Sequence, residues 1–440
     1  MSTPTTGSST EASPTPLPED HAEPGPSGQA ALLRQVASSP AVVGLLAVLT
    51  ALILSSILIL AADSEVRYTA TYLLNRPGDF LHATASTLSE AYSSLLRGAV
   101  FDWRATTGVR MIRPITDTLT NATPLIIAGL GMAVAFRAGL FNIGGQGQMI
   151  LGAITACYVG IAWNLPPVAH LLVAVVGAGL GGLVWGGIAG VLKARTGANE
   201  VIVTIMLNSI AAHLLSQVLS LKAFNGEGET GNRKSLTVAD TAQYPWLAGD
   251  SFRLHAGFLL ALLVAVAVWW LMERSRLGFQ LRATGLNADA ARTAGMSVPW
   301  VTSLVMMISG ALCGLAATAP VLGTQKSMDE SVVGTIGFDA ITVALLGRSR
   351  PVGTVLAGLL FGALRAGGTA MQAAPGTHIK IVLVLQSTIV LFIAAPPLVR
   401  AIFRLPERRE SHGGGADPSS ASVPAAAPAT PPRPRRRPEP

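Results

Sequence analysis

The stretch Gly139–Met149, GLFNIGGQGQM, decides how this chain folds. It is polar and rich in glycine, and it lies between two apolar stretches that are each long enough to cross a bilayer. Because lipid offers no hydrogen-bond partner, an unwound backbone at membrane depth survives only against protein or along a water-filled path. Broken helices of this kind line transport pathways. The stretch therefore predicts a membrane protein with a broken helix near the middle of the membrane.

The composition supports a bundle of helices embedded in a membrane. Half of the 440 residues are hydrophobic and only 12% are charged, whereas a soluble domain carries about a quarter charged residues. The net charge of +7 does not indicate nucleic acid binding, because the arginines lie between apolar runs and in the C-terminal tail, where membrane topology and anionic lipid explain them. Cys157 and Cys313 fall in separate apolar runs and are expected to be buried.

The apolar runs predict an all-α polytopic membrane protein with about ten transmembrane helices. Residues 39–405 form the predicted transmembrane domain. Residues 1–38 and the Pro/Ala/Arg-rich residues 406–440 are predicted to be disordered tails, because they cannot bury enough apolar surface to fold. The predicted spans are 41–62, 122–138, 147–163, 168–192, 201–221, 255–272, 301–322, 336–347, 352–371 and 379–399.

Arginine placement predicts that both termini are cytoplasmic. With ten crossings, the connections that hold Arg137 and Arg348, and the basic loop 273–300, fall on the same side as the termini, which obeys the positive-inside rule. The predicted external segments 63–121 and 222–254 also contain arginines, but long segments translocate largely regardless of their charge.

Glycines at four-residue spacing predict close packing between helices, because small residues let two backbones approach each other inside a membrane. This spacing occurs in three of the predicted spans, at Gly177, Gly181, Gly182, Gly186 and Gly190, at Gly310 and Gly314, and at Gly358 and Gly362.

The candidate residues of a solute path are Phe141, Asn142, Gln146, Gln148 and Asn208. The amide side chains donate and accept hydrogen bonds, which suits ribose hydroxyls or base edges. Phe141 could stack on a base, with packing in the core as the alternative. Asn208 lies in an apolar run, where a hydrogen bond to a neighbouring helix is the commoner use of an amide.

The loop 273–300 contains a second informative pattern. Asn287 is predicted to cap a short helix of about Ala288–Ala294, with Asp289 near the positive end of the helix dipole. Gly295 stands where a left-handed C-terminal cap belongs, and Pro299 prevents further helix. The pattern fits either a rigid helix that docks on a partner or a capped connecting helix without a partner.

Several classes of function find no support in the sequence. No lysine follows a glycine, so the phosphate-binding sequence G-x-x-x-x-G-K is absent. The histidines have no metal-ligand spacing. The predicted spans hold no chain of acidic residues and histidines that would relay protons. An enzyme is therefore not indicated, and a stand-alone secondary carrier or channel is the less favoured alternative.

Four ordered motifs within roughly residues 40–400 carry a family resemblance. They are FRAGLFNIGGQGQ (136–148), GANEVIVTIMLN (197–208), the segment 285–295 and GFDAITVALLG (337–347). The chain resembles the permease subunits of bacterial nucleoside-type ABC importers, within the larger family that includes ribose and branched-chain amino acid permeases. It departs from the family pattern at Gly145, where Ala or Glu is usual, and at Asp289, which replaces Glu in the Glu-Ala-Ala-x-x-x-Gly pattern of coupling loops.

The resemblance implies an importer of the bacterial cell membrane. Such an importer contains two permease subunits, ATP-binding subunits and an extracellular substrate-binding lipoprotein. ATP and Mg would be bound by the partner ATPase, and this chain would hold no cofactor or metal. The expected solute is a nucleoside, with a sugar such as ribose or a branched-chain amino acid as the alternative. The residues expected to couple the chain to the ATPase are Asn287, Asp289, Ala290, Ala291 and Gly295.

Overall fold

The computed structural model describes residues 40–225 and 233–373, together with isolated positions between 387 and 403. Within these residues the protein is helical, and its only β-type pairings are two isolated bridges. Six helical segments are long and apolar enough to cross a membrane. The predicted tails 1–38 and 406–440, and most of the predicted span 379–399, lie outside the described residues.

The helices follow one another through mostly short connections. They are α1 (Pro40–Ala62), α2 (Ser64–Ala70), α3 (Pro77–Ala99), α4 (Gly108–Arg137), α5 (Gly145–Ala162), α6 (Pro167–Thr196), α7 (Glu200–Leu219), α8 (Lys222–Asn225), α9 (Gly257–Arg274), α10 (Arg276–Leu286), α11 (Ala288–Thr293), α12 (Val298–Ala316), α13 (Ile336–Leu346) and α14 (Pro351–Gln372). A π-helical turn, Ala319–Thr324, follows α12.

The predicted external segment 63–121 is helical over much of its length. It contains the 23-residue helix α3, and α4 begins at Gly108 instead of residue 122. The apolar residues of α3 are interrupted by Ser, Thr, His and Glu, so no continuous apolar run marks it. Its small residues are buried instead, and Gly98 packs against Ala370 of α14.

Helix α4 forms the centre of the bundle. Most of its apolar part is buried, and it packs against α12, α13 and α14. The close packing predicted from glycine spacing is confirmed: a Cβ atom on Gly182 of α6 would lie 2.1 Å from the carbonyl oxygen of Gly310 in α12. In α14, Gly358 and Gly362 meet α4 in the same way.

The bundle has two ends that organise the site. Helices α6 and α12 are antiparallel, since Gly190 packs on Ser303 and Gly182 packs on Gly310. One end, called here the α11 end, carries the loop 273–300 and the ion pair between Arg137 and Glu273. The opposite end carries the segment 233–256, which precedes α9.

Candidate functional site

The quoted stretch is a non-helical connection between two helices, but it starts at the α11 end and joins two antiparallel helices, whereas the sequence predicted one helix broken near the middle of the membrane. Helix α4 ends at Arg137, Gly139 takes a left-handed conformation with φ of 72°, and α5 begins at Gly145. The break starts at the α11 end, where a Cβ atom on Gly139 would lie 3.1 Å from Gly285 at the end of α10. From there the chain turns back into the bundle.

Asn142 lies at the centre of a buried hydrogen-bond network. Its Nδ2 donates to Ser309 Oγ at 2.9 Å and to Gln148 Oε1 at 3.1 Å. Its Oδ1 accepts from the backbone N–H of Gly144 at 2.8 Å and from Gln148 Nε2 at 3.3 Å. Asn142 and Gln148 are 0% and 1% exposed. Their amides therefore satisfy each other and fix the course of the break.

Asn208 of α7 holds the first turn of α5. Its Oδ1 accepts from the backbone N–H of Gly147 at 2.8 Å, and its Nδ2 donates to the carbonyl of Ile143 at 2.9 Å. These are hydrogen bonds to a neighbouring segment, which the sequence analysis gave as the commoner use of the Asn208 side chain. A Cβ atom on Gly147 would lie 2.8 Å from Trp185 Nε1, so only glycine fits there without displacement.

Gln146 faces a different part of the molecule. Its Nε2 donates to the carbonyl of Gly334 at 2.7 Å, whereas its Oε1 is buried and has no hydrogen-bond partner among the described residues. Gln146 thus joins α5 to the irregular stretch between α12 and α13, residues 325–335, which we call the re-entrant segment.

The re-entrant segment reaches into the bundle from the opposite end. It is followed by α13, an 11-residue helix of about 16 Å, which covers only about half of the roughly 30 Å hydrocarbon thickness. The predicted span 336–347 therefore does not cross by itself. Gly347, just after α13, packs on Thr354 near the start of α14 at the α11 end. The start of α13 thus lies at mid-depth.

A cavity of about 410 Å³ lies beside the re-entrant segment. Its polar lining comes from Asn121 of α4, Gln325 and Thr335 of the re-entrant segment, and Arg365 of α14. Pro124 of α4 also lines it, and because proline has no N–H, the carbonyl four residues earlier lacks its usual helical partner. The volume falls within the range of small-molecule sites.

Arg365 forms a half-buried ion pair inside the bundle. Its Nη2 contacts the carboxylate of Asp339 in the first turn of α13 and lies 2.8 Å from Thr335 Oγ1. Thr335 Oγ1 in turn donates to Asp339 Oδ2 at 3.0 Å. Ionisable residues at membrane depth are costly and are kept for function. Sequence reasoning missed Arg365, although a lone arginine in the predicted span 352–371 was the available signal.

A larger cleft of about 700 Å³ lies between α3, α4 and α14. Arginines and carboxylates line it, including the loose pair Arg97–Asp102 at 3.9 Å. It touches neither the break nor the re-entrant segment. The smaller cavity is therefore the better candidate for a site built by the broken helices.

Phe141 lies apart from this cavity. It is at the α11 end, where its ring stacks on Phe136 with 5.0 Å between centroids and its backbone N–H points at the carboxylate of Glu200. The predicted path residues thus divide into three groups. Asn142, Gln148 and Asn208 form one buried cluster, Gln146 faces the re-entrant segment, and Phe141 is exposed at the end of the bundle.

The predicted caps of the loop helix are confirmed. Asn287 Oδ1 accepts from the backbone N–H groups of Asp289 and Ala290, both at 3.0 Å, and Gly295 has φ of 81°. Helix α11 ends at Thr293, one residue before the predicted Ala294. Pro299 lies in the first turn of α12 rather than in a non-helical connection.

The exposed surface of α11 is formed by few residues. Asp289, Ala290, Arg292 and Thr293 are exposed, whereas Ala291 is only 3% exposed and packs inward. Leu286, directly before the cap, is 89% exposed. Gly285, near the end of α10, packs against Gly139 at the start of the break. The loop 273–300 is therefore in direct contact with the break.

Six helices in the described part of the chain that are long and apolar enough to cross a membrane, packed around a polar cavity, are typical of a multi-pass membrane protein. The described residues contain no cluster of side chains able to hold a metal ion. The family model for branched-chain amino acid transport system / permease component matches residues 115–394. The chain belongs to this family and is a permease subunit of an ABC importer.

Individual relatives agree with this assignment. The chain is 40% identical over 291 residues to a guanosine ABC transporter permease of Bacillus subtilis, covering 66% of this chain and 83% of the relative. It is 37% identical over 289 residues to a glucose ABC transporter permease of Haloferax volcanii (63% and 75% covered). It is 33% identical over 300 residues to a nucleoside ABC transporter permease of Lactococcus lactis (66% and 81% covered).

Proposed function

We propose that this chain forms the solute path of a nucleoside importer in the bacterial plasma membrane. It would assemble with a second permease subunit, identical or homologous, with ABC ATPase subunits that bind ATP and Mg, and with an extracellular substrate-binding lipoprotein. The chain itself would bind no cofactor. Its contribution is the path and the mechanical link to the ATPase.

The observation that carries this proposal is the exposed backbone of the re-entrant segment. Gly334 and Thr335 are exposed although they lie at mid-depth, next to Gln146. The backbone groups of Gly334 have protein partners, but an irregular stretch with an exposed threonine at that depth is still disfavoured against lipid. We infer that the segment faces water along the path, and that the cavity with Asn121, Thr335 and Arg365 receives the solute.

The coupling role rests on α11. Its caps satisfy backbone groups at both ends, Ala291 packs inward, and its exposed residues offer a small surface to a partner. A push on α11 would reach the break through the contact between Gly285 and Gly139. We therefore propose that Asn287 and Gly295 shape the docking helix, Ala291 anchors it inward, and Asp289 and Ala290 contact the ATPase.

We propose ten crossings with both termini in the cytoplasm. The support is the arginine distribution, because the α11 end carries Arg137, Arg274, Arg282, Arg348 and Arg350. This orientation places α11 where a cytoplasmic ATPase could reach it.

A sugar is the second candidate solute. The glucose permease of Haloferax volcanii is nearly as similar to this chain as the guanosine permease of Bacillus subtilis. Hydroxyl-bearing lining groups such as Thr335, together with the amide of Asn121, would suit the hydroxyls of either a free sugar or a ribosyl group.

Uptake of radiolabelled guanosine by cells with and without the gene tests the solute. We expect deletion to abolish uptake, and unlabelled guanosine and uridine to compete while glucose, ribose and leucine do not. Competition by glucose or ribose alone would assign the path to sugars. Guanosine uptake unchanged by the deletion, in a strain without a paralogue, would contradict the proposal.

The variant Leu286→Glu tests the coupling role. The side chain is almost fully exposed, so the bundle should tolerate the change while the docking surface gains a charge. We expect solute-stimulated ATP hydrolysis by the reconstituted complex to be lost. The matched control is Leu247→Glu, which changes a 42% exposed leucine at the opposite end. If both variants change solute-stimulated ATP hydrolysis to the same extent, α11 has no specific coupling role.

A further inference from the structure

Helices α6, α7 and α9 bury only 28%, 22% and 28% of their most apolar segments. Each therefore presents a wide outer surface to its surroundings, either lipid, water or another subunit. The residues on each surface indicate whether it faces lipid or water, because lipid accepts apolar side chains and disfavours polar ones.

The outer surface of α6 is apolar from Val168 to Leu192. Its exposed line repeats every four residues and consists of Val168, Leu172, Val176, Leu180, Val184, Ile188 and Leu192. The exposed residues in the body of α9 are likewise apolar, from Leu259 to Trp270. These two helices show what a lipid-facing surface of this protein looks like.

Helix α7 departs from this pattern halfway along its length. Its exposed line starts with Ile202 and Met206 and continues with Ser209, His213 and Gln217, flanked by the exposed Ile210 and Leu214. These positions lie on one face, because they are spaced by three or four residues. His213 lies about 20 Å from the start of the helix, which is still within hydrocarbon depth. A histidine and a glutamine on a lipid-facing line would each cost free energy that α6 and α9 avoid.

The polar line of α7 continues towards the re-entrant segment. Ser216, one turn beyond His213, accepts a hydrogen bond from Arg233 Nη1 at 2.8 Å, and the same nitrogen lies 2.9 Å from Glu330 Oε1. The two elements also flank the first turn of α5, where α7 contacts Gly147 and the re-entrant segment contacts Gln146. The contact with α5 is made by Asn208 on the buried face of α7, so the line of Ser209, His213 and Gln217 faces out of the bundle, and only Ser216 at its edge reaches the ion pair beside the re-entrant segment.

We propose that Ser209, His213 and Gln217 of α7 form a hydrated wall of the solute path and hydrogen bond to a neutral, polar solute. The exposed line of α7 beyond Glu200 holds no charged side chain, so it offers hydroxyl, imidazole and amide groups rather than an ionic site. The assignment of guanosine-like solutes to this wall rests on the proposed function. The hydration of the wall does not depend on it.

Cysteine substitution tests the wall in the assembled transporter. Cys157 and Cys313 are both 0% exposed, so the native chain supplies a low background for a charged, membrane-impermeant thiol reagent. We expect Ser209→Cys and Gln217→Cys to be modified rapidly in native membranes. Val176→Cys of α6, which is 57% exposed on the apolar line, is the matched control and should remain unmodified. Ser209→Cys replaces only oxygen by sulfur, so the fold should be kept.

The outcomes separate the wall from the solute. Modification of Ser209→Cys and Gln217→Cys that is slowed by guanosine supports the whole proposal. Modification that is slowed by glucose but not by guanosine supports the wall and overturns the nucleoside assignment. Modification no faster than at Val176→Cys overturns the wall. The wall is also overturned if the Ser209→Cys variants of two permease subunits form a disulfide with each other, because the position would then lie in a subunit contact that the reagent cannot reach. Uptake assays on His213→Leu should show at least about a tenfold loss, equivalent to about 1.4 kcal/mol, and unchanged uptake would remove His213 from the wall.

Discussion

The break 138–144 and the re-entrant segment 325–335 are both irregular stretches that enter the helix bundle, but they treat their polar groups in opposite ways. In the break, Asn142 is fully buried and its amide is satisfied by Ser309, Gln148 and Gly144. In the re-entrant segment, Gly334 and Thr335 are exposed beside a cavity. The polar groups of the first stretch are enclosed by protein, whereas those of the second also have protein partners but lie on residues exposed beside the cavity.

This difference shows that amides at membrane depth do not by themselves mark a solute site. A buried amide that finds two partners contributes rigidity, and its removal leaves several partners unsatisfied. A polar group that faces a cavity is free to exchange partners with a solute. Two pairs of substitutions compare a change in or beside the break with a matched change in the re-entrant segment.

The largest effect is expected from Asn142→Leu. The substitution leaves Ser309 Oγ, the backbone N–H of Gly144 and the amide of Gln148 without their partner, at about 1–3 kcal/mol for each buried group. We expect little folded protein, measured as the monodisperse fraction and melting temperature in detergent. The control in the other stretch is Thr335→Val, which should purify as wild type. An Asn142→Leu protein with wild-type stability would contradict the structural role of the break.

Glycine-to-alanine changes give the next largest contrast. In Gly147→Ala the new Cβ would lie 2.8 Å from Trp185 Nε1 and 3.0 Å from Asn208 Oδ1, and such overpacking costs about 1–3 kcal/mol. In Gly334→Ala the nearest atom is 3.8 Å away, and only the φ of 52° opposes the change, at about 1 kcal/mol. Thermal melting should rank Gly147→Ala below Gly334→Ala, and the reverse order would argue against the packing described for α5.

Arg365→Gln should reduce transport more than stability. The guanidinium contacts Thr335 and Asp339 at the cavity, and its loss frees a carboxylate that would disfavour a neutral solute. We expect guanosine uptake to fall about tenfold, equivalent to about 1.4 kcal/mol, at an unchanged amount of membrane-inserted protein. Arg365→Lys, which keeps the charge, should be intermediate. Normal uptake by Arg365→Gln would place the solute elsewhere.

The smallest effect is expected on the stability of the protein at acidic pH. His255, just before α9, packs on Gly323 of the π-helical turn that leads to the re-entrant segment, and burial lowers its pKa to about 4. The unfolded chain binds this proton below about pH 6.5, so the contribution of neutral His255 to stability is complete above that pH. It is lost as the pH falls from 6.5 towards 4.

We expect the melting temperature to decrease on acidification, with less than about 1 kcal/mol lost by pH 6. His255→Asn keeps an acceptor for the N–H of Gly257, which His255 Nδ1 binds at 3.1 Å, but cannot titrate. Its profile should be flatter than that of the wild type. An identical slope in both proteins would assign the acid effect to other groups.

The sequence predicts those elements whose cause is local. Apolar runs indicate most spans, Asn287 and Gly295 define α11 through short-range caps, and the glycine spacing in α6 and α12 indicates their close approach. Each of these signals lies within one segment, and the structure agrees with each.

The rest depends on contacts between distant segments. Helix α3 lacks an apolar run because α14 covers its small residues. Arg365 meets Asp339 across a connection between two helices, and neither residue indicates the other. The amides of Asn142 and Gln148 offer the same donors and acceptors whether they face water or each other, so only their position decides their role.

The proposed solute path requires that the re-entrant segment faces water and that the break does not. The direct measurement compares Thr335→Cys with Ser309→Cys, whose parent side chain is fully buried beside Asn142, using a charged thiol reagent on native membranes. We predict rapid modification of Thr335→Cys, slowed by guanosine, and no modification of Ser309→Cys. Faster modification of Ser309→Cys than of Thr335→Cys, or no modification of Thr335→Cys, would contradict the proposed path.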